Sequence, residues 1–410
     1  MNIANQQSIV TASACPALAS TPLPSLLGAP RPAGFPRLSD LRNVAIIRLD
    51  DIGDLVLTSP LLRELRRNLP QARISLAINP ALKNLVERCP YVDRVIDVPM
   101  QRRGGGWGEI GHLGVLVDHV VRHWWPERCD LAVLPRYGAD LHDARLLAWL
   151  SRARWRVGFD EPDSHILKHK KIGLSGPRLL NVRLKRGGAL PEVIRNLSVL
   201  ESIGGNVIRD DLELWTSDDD ARHAESLVGG KNGDPLIALC PSGRYPRKRW
   251  PIARFETVIE RLLTSPRAVR LVLIGGPGDR LLARPLLERF GAQLLDLTGT
   301  LTLRQTAAVL GHCALYIGCD TGPMHLAAAA GASVVEISCH PLAGDPSGEY
   351  SPRRFGPWKT PAIVLQPRAV SPCTSTCSAD EAHCILGISV DDVMDAANRL
   401  LETPRTSRPL

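Results

Sequence analysis

The sequence contains no uninterrupted apolar run of about eighteen residues, the minimum for a helix that spans a membrane. Its N-terminal residues also lack the basic stretch that precedes the apolar core of a secretory signal peptide. We therefore expect no membrane span and no export, which makes the cytoplasm the default location. Peripheral contact with the inner face of the inner membrane stays open on these grounds.

Aromatic residues are scarce, at 4% of the chain, and no zinc-finger or RNA-recognition signature is present. Proteins that bind single-stranded nucleic acid stack bases on aromatic side chains, so this composition argues against nucleic acid as a partner. The formal net charge is nevertheless +8, with basic residues spread over the whole length. Such a charge suits an anionic partner, for example a phosphorylated lipid or the anionic inner-membrane surface.

The chain has ten cysteines, most of them scattered through apolar, strand-like segments. This distribution is typical of reduced core cysteines and argues against a disulfide scaffold. Four soft ligands stand close together near the C-terminus, namely Cys373, Cys377, His383 and Cys384. They could bind zinc or iron, but their spacing fits no standard finger, and adjacent His and Cys residues rarely reach one metal together. We expect a reduced structural cluster, no metal site and no cofactor.

Short apolar runs alternate with helical segments from Asn43 onward, which predicts parallel strands joined by helices. A disordered tail is expected over 1–40, where Ala, Ser and Pro dominate without a period. An N-terminal Rossmann-like domain is predicted over 41–215, with an insertion over 101–126 that opens in a glycine-rich turn. A second Rossmann-like domain is predicted over 216–400. The chain is thus expected to be of the α/β class, with two doubly wound sheets.

The loops that follow the apolar runs are the candidate functional segments. Ligands of open parallel sheets bind beyond the carboxyl ends of the strands. Loops after the runs VAIIRL, LIALC, RLVLI and ALYIG should therefore converge on one cleft between the two domains.

The first of these loops holds three carboxylates within five residues, those of Asp50, Asp51 and Asp54. Gly53 permits a tight turn and close approach of a ligand, and the next helix is expected to begin at about Leu55. A single Asp at that position is more often the N-cap of the helix than a catalyst. Three carboxylates at the end of a strand nevertheless allow one pKa to rise toward that of a general base, and Asp54 is our candidate.

The second loop, PSGRYPRKRWP, combines small residues with a group of cations. Ser242 and Gly243 offer a hydroxyl and backbone N–H groups, while Lys248 and Arg249 supply positive charge. A diphosphate needs these groups both for binding and for stabilisation of charge as it leaves. A solvated basic loop is the alternative, but the position at the ligand edge of the sheet favours phosphate binding.

Two further loops offer partners for hydroxyls or an anion. Asp279, in the turn GGPGD, is placed to hold ribose hydroxyls or merely to cap the next helix. In CDTGPMHLAAAAG, Thr321 and Gly322 open a helix whose free N–H groups would face an anion. Asp320 would be repelled by a diphosphate, so it is expected to hold sugar hydroxyls or to orient His325. His325 is expected on the exposed first turn of this helix, where it is either structural or part of the site.

The chain resembles glycosyltransferase family 9, the ADP-heptose:lipopolysaccharide heptosyltransferases, over about residues 43–395. Four motifs carry the resemblance in the family's order: RLDDIGDLVLTSPLLRELRRNLP, PSGRYPRKRWP, LIGGPGD and GCDTGPMHLAAAAG. The resemblance implies a GT-B fold, in which two Rossmann-like domains face each other across a cleft. It also implies that the N-terminal domain holds the acceptor and the C-terminal domain holds the nucleotide-sugar donor.

The same resemblance implies roles for individual residues. By motif match, Asp54 takes the place of the family's proposed base, and Lys248 takes that of the lysine that contacts the donor phosphates. The implied donor-binding set is Ser242, Gly243, Arg249, Asp279, Asp320, Thr321, Gly322 and His325. Asp50 and Gly53 would lie on the acceptor side. Direct displacement with inversion at the anomeric carbon, without a metal, is the implied reaction.

We therefore expect an inverting glycosyltransferase that moves a sugar onto a lipopolysaccharide core or another cell-envelope glycan. By resemblance, the sugar is heptose and the donor is ADP-heptose. Two alternatives remain open, a sugar-nucleotide epimerase of similar two-domain architecture and a non-catalytic nucleotide-sugar binding module. An epimerase would release an isomerised sugar without any acceptor, and a binding module would tolerate the loss of Asp54.

Overall fold

Parallel strands alternate with helices along the chain and form two separate sheets. The computed structural model describes residues 33–100, 107–160, 176–185, 188–229 and 233–402. These residues divide into an N-terminal unit that ends at Leu212 and a C-terminal unit that begins at Glu213. Two Rossmann-like units are thus present, which confirms the predicted α/β class.

The N-terminal unit is a six-stranded parallel sheet with helices between the strands. Its elements are β1 (Asn43–Arg48), α1 (Ile52–Val56), α2 (Ser59–Asn68), β2 (Arg73–Ile78), α3 (Lys83–Val86), β3 (Arg94–Asp97), α4 (Trp107–His123), β4 (Leu131–Leu134), α5 (Ala144–Leu150), β5 (Trp155–Phe159), β6 (Val182–Leu184) and α6 (Glu192–Ser202). The strand order is β3-β2-β1-β4-β5-β6. The direction of winding reverses between β1 and β4, and such switch points are where open sheets bind ligands.

The C-terminal unit repeats this architecture. Its elements are α7 (Asp218–Val228), β7 (Leu236–Cys240), α8 (Ile252–Leu263), β8 (Arg270–Leu273), α9 (Arg280–Phe290), β9 (Leu294–Asp296), α10 (Leu303–His312), β10 (Cys313–Cys319), α11 (Gly322–Ala329), β11 (Ser333–Ile337), α12 (Pro352–Phe355), β12 (Ala362–Leu365) and α13 (Val390–Glu402). The order β12-β11-β10-β7-β8-β9 is entirely parallel and has its switch point between β7 and β10.

The central strands are apolar because helices cover both faces of each sheet. β1 buries every residue except Asn43, and all five residues of β7 are buried. The register of β1 places Asn43 opposite Arg73 of β2, and Val44 opposite Leu131 of β4. The ends of neighbouring strands therefore lie side by side at the edge where the candidate loops begin.

The structure corrects the start of the first helix. The sequence predicts one helix from about Leu55, whereas α1 begins at Ile52 and a separate helix, α2, begins at Ser59. Pro60 has no N–H to donate, so it favours the start of a new helix over continuation of α1. Gly53 consequently lies buried inside α1, and the prediction that it forms a tight turn is wrong.

The helix within the predicted insertion belongs to the core of the N-terminal unit. Residues 101–106 lie outside the described residues, but α4 follows them and connects β3 to β4. Leu116 and Val120 of α4 are buried in the same apolar cluster as the central strands. From residue 107 onward the segment is thus the crossover helix that parallel strands require, rather than an insertion at the edge of the domain. No helix in the described part of the chain is both long and apolar enough to cross a bilayer.

The predicted tail ends earlier than expected. Its first part, 1–32, lies outside the described residues. Phe35 is buried, however, and its ring centroid lies 5.0 Å from that of Trp155 in β5. The chain is therefore packed against the N-terminal sheet before residue 40, because an aromatic side chain finds an apolar partner there.

Candidate functional site

The carboxylate of Asp54 lies just beyond the carboxyl end of β1, at the switch point of the N-terminal sheet. Asp54 is the third residue of α1 and Asp51 precedes the helix, so Asp54 is not the N-cap. Its Oδ1 accepts a hydrogen bond from Nη2 of Arg48 at 2.7 Å, and its Oδ2 accepts one from the backbone N–H of Asp51 at 3.3 Å. The side chain remains 19% exposed, which leaves it accessible to a substrate.

The pKa of Asp54 is suited to proton transfer. Burial raises this pKa from an ordinary 3.8 to about 6, while Arg48 opposes the shift and Asp50 reinforces it. A carboxyl with such a pKa is mostly ionised at neutral pH, yet it binds a proton far more readily than an exposed aspartate. This combination is what a general base needs near its working pH.

Asp50 is held in a different state from Asp54. Its carboxylate is buried and makes ion pairs with Nη1 of Arg136 and with Nε of Arg48, the latter at 3.3 Å. Burial alone would raise the pKa of Asp50, but the two guanidinium groups outweigh burial and lower it. Asp50 is therefore a fixed anion that positions its neighbours, while Asp54 can take up a proton.

Sequence reasoning missed the charged residues that surround these aspartates. Arg48, the last residue of β1, is buried, and its Nη2 lies 3.7 Å from Oε1 of Glu192 in α6. Oε2 of Glu192 lies 3.8 Å from Nε of Arg195, whose guanidinium stacks 3.7 Å from the ring centroid of Tyr137. The available signal was the Arg in the apolar run VAIIRL, because a buried charge needs an opposite partner.

In the C-terminal unit, Lys248 and Asp320 form an ion pair at the switch point between β7 and β10. Nζ of Lys248 lies 2.6 Å from Oδ2 of Asp320, and the side chains are only 13% and 12% exposed. Burial by itself would lower the pKa of Lys248, but the Asp320 carboxylate outweighs burial and the pKa is raised. Lys248 is therefore a permanent cation at the edge where ligands of such sheets bind.

Tyr350 covers this ion pair, and no sequence pattern had indicated it. Its ring centroid lies 4.4 Å from Nζ of Lys248, and its hydroxyl accepts a hydrogen bond from Nη2 of Arg247 at 3.2 Å. A cation over an aromatic face is attracted to the ring. Tyr350 thus helps to fix the direction in which the lysine points.

The structure places His325 differently from the expectation. This residue is 4% exposed and lies in a packed turn of α11, where the sequence predicts an exposed first turn. The run of alanines that follows allows the helix to pack closely on its sheet, and the histidine is buried with it. Burial lowers the pKa of His325 to about 4, so its imidazole is neutral at physiological pH.

Glu336 in β11 is a further buried acid close to the ion pair. It is 1% exposed, and neither carboxylate oxygen has a hydrogen-bond partner among the residues that the structure describes. Burial raises the pKa of Glu336 well above its ordinary value, and the charge of Asp320 adds to this effect. The burial of Glu336 thus favours its protonated form more than in an exposed glutamate.

The loop after β7 is shaped by internal bonds. Nε of Arg249, a predicted donor-binding residue, donates a hydrogen bond to the carbonyl oxygen of Gly243 at 2.7 Å. A Cβ at Gly243 would lie 3.2 Å from Cγ of Arg249 and 3.3 Å from the carbonyl oxygen of Lys248, which favours glycine there. Ser242 is buried, with its Oγ 3.2 Å from Sγ of Cys240. These contacts hold the loop close to the end of β7.

The remaining predicted donor residues stand at helix starts. Thr321 precedes α11 and Gly322 is its first residue. Oγ1 of Thr321 donates to the carbonyl oxygen of Cys319 at 3.3 Å and makes no capping bond, so it does not occupy the N–H of Gly322. Pro323 has no N–H, and the N–H of Met324 donates to the carbonyl oxygen of Thr321 at 3.1 Å. Asp279 precedes α9, and its Oδ2 accepts a hydrogen bond from the N–H of Gly276 at 2.7 Å. This bond stabilises the turn before α9. A contact between Asp279 and the ribose hydroxyls stays a prediction.

Comparison with known proteins relates these sites to a family. A family model described as glycosyltransferase family 9 (heptosyltransferase) matches residues 144–383, more than half of the chain. Lipopolysaccharide heptosyltransferase 3 of Escherichia coli is 24% identical over 292 residues, which cover 70% of this chain and 80% of that protein.

Solved structures share the fold. The glycosyl transferase family 9 protein of Veillonella parvula has a TM-score of 0.69 and 23% identity, with 88% of this chain and 97% of that chain covered. Escherichia coli ADP-heptose lipopolysaccharide heptosyltransferase II has a TM-score of 0.63 and 21% identity, with 88% and 98% covered. These similarities confirm the GT-B fold class.

Proposed function

Because the chain belongs to glycosyltransferase family 9 (heptosyltransferase), we propose that it transfers heptose from ADP-heptose to a lipopolysaccharide-core sugar. The names of two similar proteins support this pair of substrates, since one is a lipopolysaccharide heptosyltransferase and the other an ADP-heptose lipopolysaccharide heptosyltransferase. Both names describe sugar transfer, which favours transfer over epimerisation.

The observation that carries the proposal is the half-buried carboxylate of Asp54, whose pKa is raised to about 6. In the proposed step, Asp54 takes the proton of an acceptor hydroxyl while the hydroxyl oxygen bonds to the anomeric carbon of heptose. The bond between that carbon and the diphosphate oxygen breaks on the opposite side, so the anomeric configuration inverts. ADP leaves with the electron pair of the broken bond, and Asp54 is left protonated.

The C-terminal unit supplies the groups that suit the departing diphosphate. Lys248 offers a charge held in place by Asp320 and Tyr350, and the start of α11 offers the backbone N–H of Gly322. Both kinds of group stabilise the negative charge that develops on the leaving group. A base in one unit and an anion site in the other match the division into acceptor and donor domains that the family resemblance implies.

The experiment incubates the purified chain with ADP-heptose and a heptose-deficient lipopolysaccharide core, and measures ADP and the extended core by mass spectrometry. We expect ADP and extended core in equal amounts. Asp54→Asn should keep donor binding and lower turnover by about a hundredfold or more. The matched control is Asp51→Asn, since Asp51 is the exposed N-cap of α1 and asparagine also caps helices, so turnover should be kept. An isomerised sugar formed without acceptor, or full turnover by Asp54→Asn, would contradict the proposal.

A further inference from the structure

Three cysteines and one histidine converge in the segment between β12 and α13 of the C-terminal unit. They form a Cys3His cluster made of Cys373, Cys377, His383 and Cys384, and their ligand atoms all lie within 4.8 Å of one another. The three cysteines are buried and His383 is half-buried. No cysteine among the described residues forms a disulfide, so no such bond holds this cluster together.

The distances within the cluster match those of a tetrahedral metal site. Nδ1 of His383 lies 3.5 Å from Sγ of Cys373 and 3.5 Å from Sγ of Cys384. In tetrahedral zinc sites, metal distances of about 2.3 Å to sulfur and about 2.0 Å to nitrogen separate these ligand atoms by about 3.5 Å. The adjacency of His383 and Cys384, which argued against a metal from sequence alone, therefore does not keep their ligand atoms apart.

The segment that carries the cluster has little regular structure of its own. Between β12 and α13 the only regular element in the structure is one short 3-10 helix, Cys384–Gly387. A long segment without regular structure needs further contacts or bound ligands to keep one conformation. Thiols are weak hydrogen-bond donors, so three thiols and one imidazole stabilise the segment little by hydrogen bonds. A metal ion, in contrast, would bind all four side chains.

We propose that Cys373, Cys377, His383 and Cys384 hold a structural zinc ion. Three thiolates and one imidazole are a ligand set that zinc prefers, and four protein ligands leave no open position on the ion. The ion therefore cross-links the segment and takes no part in sugar transfer. This inference is independent of the proposed substrates.

The cluster is connected to the anion site through the chain. The carbonyl oxygen of Ser375, between two of the ligands, accepts a hydrogen bond from the N–H of Asp345 at 2.8 Å. Tyr350, which covers Lys248, follows Asp345 by five residues in the same loop. A zinc ion at the cluster would thus help to fix the position of the loop that carries Tyr350.

The test begins with the full-length protein, purified under reducing conditions from zinc-supplemented medium, and measures metals by mass spectrometry. We expect about one zinc ion per chain in the wild type. Cys377→Ser and His383→Asn should lose it, while His383→Cys should keep it because a fourth thiolate replaces the imidazole. The matched control is Cys313→Ser, which removes a buried thiol of the same unit from outside the cluster and should keep the metal.

A second measurement needs no variant and therefore does not depend on the folding of one. Metal-free wild type is titrated with Co²⁺, which should give thiolate-to-metal charge transfer and the intense visible bands of tetrahedral coordination. Wild type that carries no zinc and shows no such spectrum would overturn the proposal. Iron in place of zinc would overturn the metal assignment, and zinc retained by both Cys377→Ser and His383→Asn would overturn the location.

Discussion

Acid should inactivate this protein through Asp54. The proposed base must be ionised to accept a proton, and burial raises the pKa of Asp54 to about 6. Lowering the pH through this value protonates the carboxylate and removes the base, whereas raising the pH above it leaves the base ionised. We therefore expect kcat/KM to increase with pH along an acid limb centred near 6 and to level off above it.

The size of the effect follows from the ionised fraction. A carboxyl with a pKa of about 6 is about nine-tenths ionised at about pH 7 and about one-tenth ionised at about pH 5, so kcat/KM should fall about tenfold over that interval. An aspartate with the ordinary pKa of 3.8 would stay more than about nine-tenths ionised over the same range. The change in kcat/KM between these two pH values therefore distinguishes a raised pKa of Asp54 from an ordinary one.

The assay measures released ADP directly by chromatography, because coupling enzymes have pH profiles of their own. Circular dichroism at each pH shows that the protein stays folded. Asp51→Asn is the matched control, and its acid limb should coincide with that of the wild type. A rate that stays constant between about pH 5 and about pH 7, or an acid limb near 4, would refute the assignment of Asp54 as the base.

Two further perturbations test the sites separately. Asp54→Asn should raise the free energy of unfolding at neutral pH by up to about 3 kcal/mol, because the wild type then carries an ionised carboxylate whose pKa is raised from 3.8 to about 6. The gain should fade as the pH falls through 6 toward 4 and the wild-type carboxylate takes up its proton, and urea unfolding at several pH values measures it. Equal stability at neutral pH would contradict the burial argument. Lys248→Gln should weaken ADP binding and lower turnover by about a hundredfold, since the leaving diphosphate loses its cation, with Lys248→Arg as the charge-preserving control. Calorimetric titration with ADP and steady-state rates check this, and unchanged values would remove Lys248 from the site.

Much of the fold could be predicted because it depends on local pattern. The apolar runs of β1 and β7 indicate strands covered on both faces, and the helical periodicity of IARFETVIERLL agrees with α8. Strands β5 and β6 are harder to predict from the sequence. β5 begins with the half-buried Trp155 and Arg156, and β6 has only three residues, so neither presents a continuous apolar run. Such short strands owe their existence to pairing with a neighbour that sequence periodicity does not show.

The candidate sites, too, depend on contacts between residues that are far apart in the sequence, which the sequence alone does not show. The sequence displays three carboxylates in one loop, Asp50, Asp51 and Asp54, but it contains nothing that separates their chemistry. The separation comes from Arg136, which follows β4 and lies 86 residues from Asp50 in sequence.

Parallel pairing of β1 with β4 brings these two strand ends together, so that Arg136 pairs with Asp50 and lowers its pKa. Asp54 is half-buried beside them, with Arg48 as its one ion-pair partner among the described residues, and is left with a raised pKa. The topology of the sheet thus decides which acid remains ionised and which one can exchange a proton. A base in this loop is consequently a property of the folded sheet, and the motif alone supplies only the set of candidates from which it is chosen.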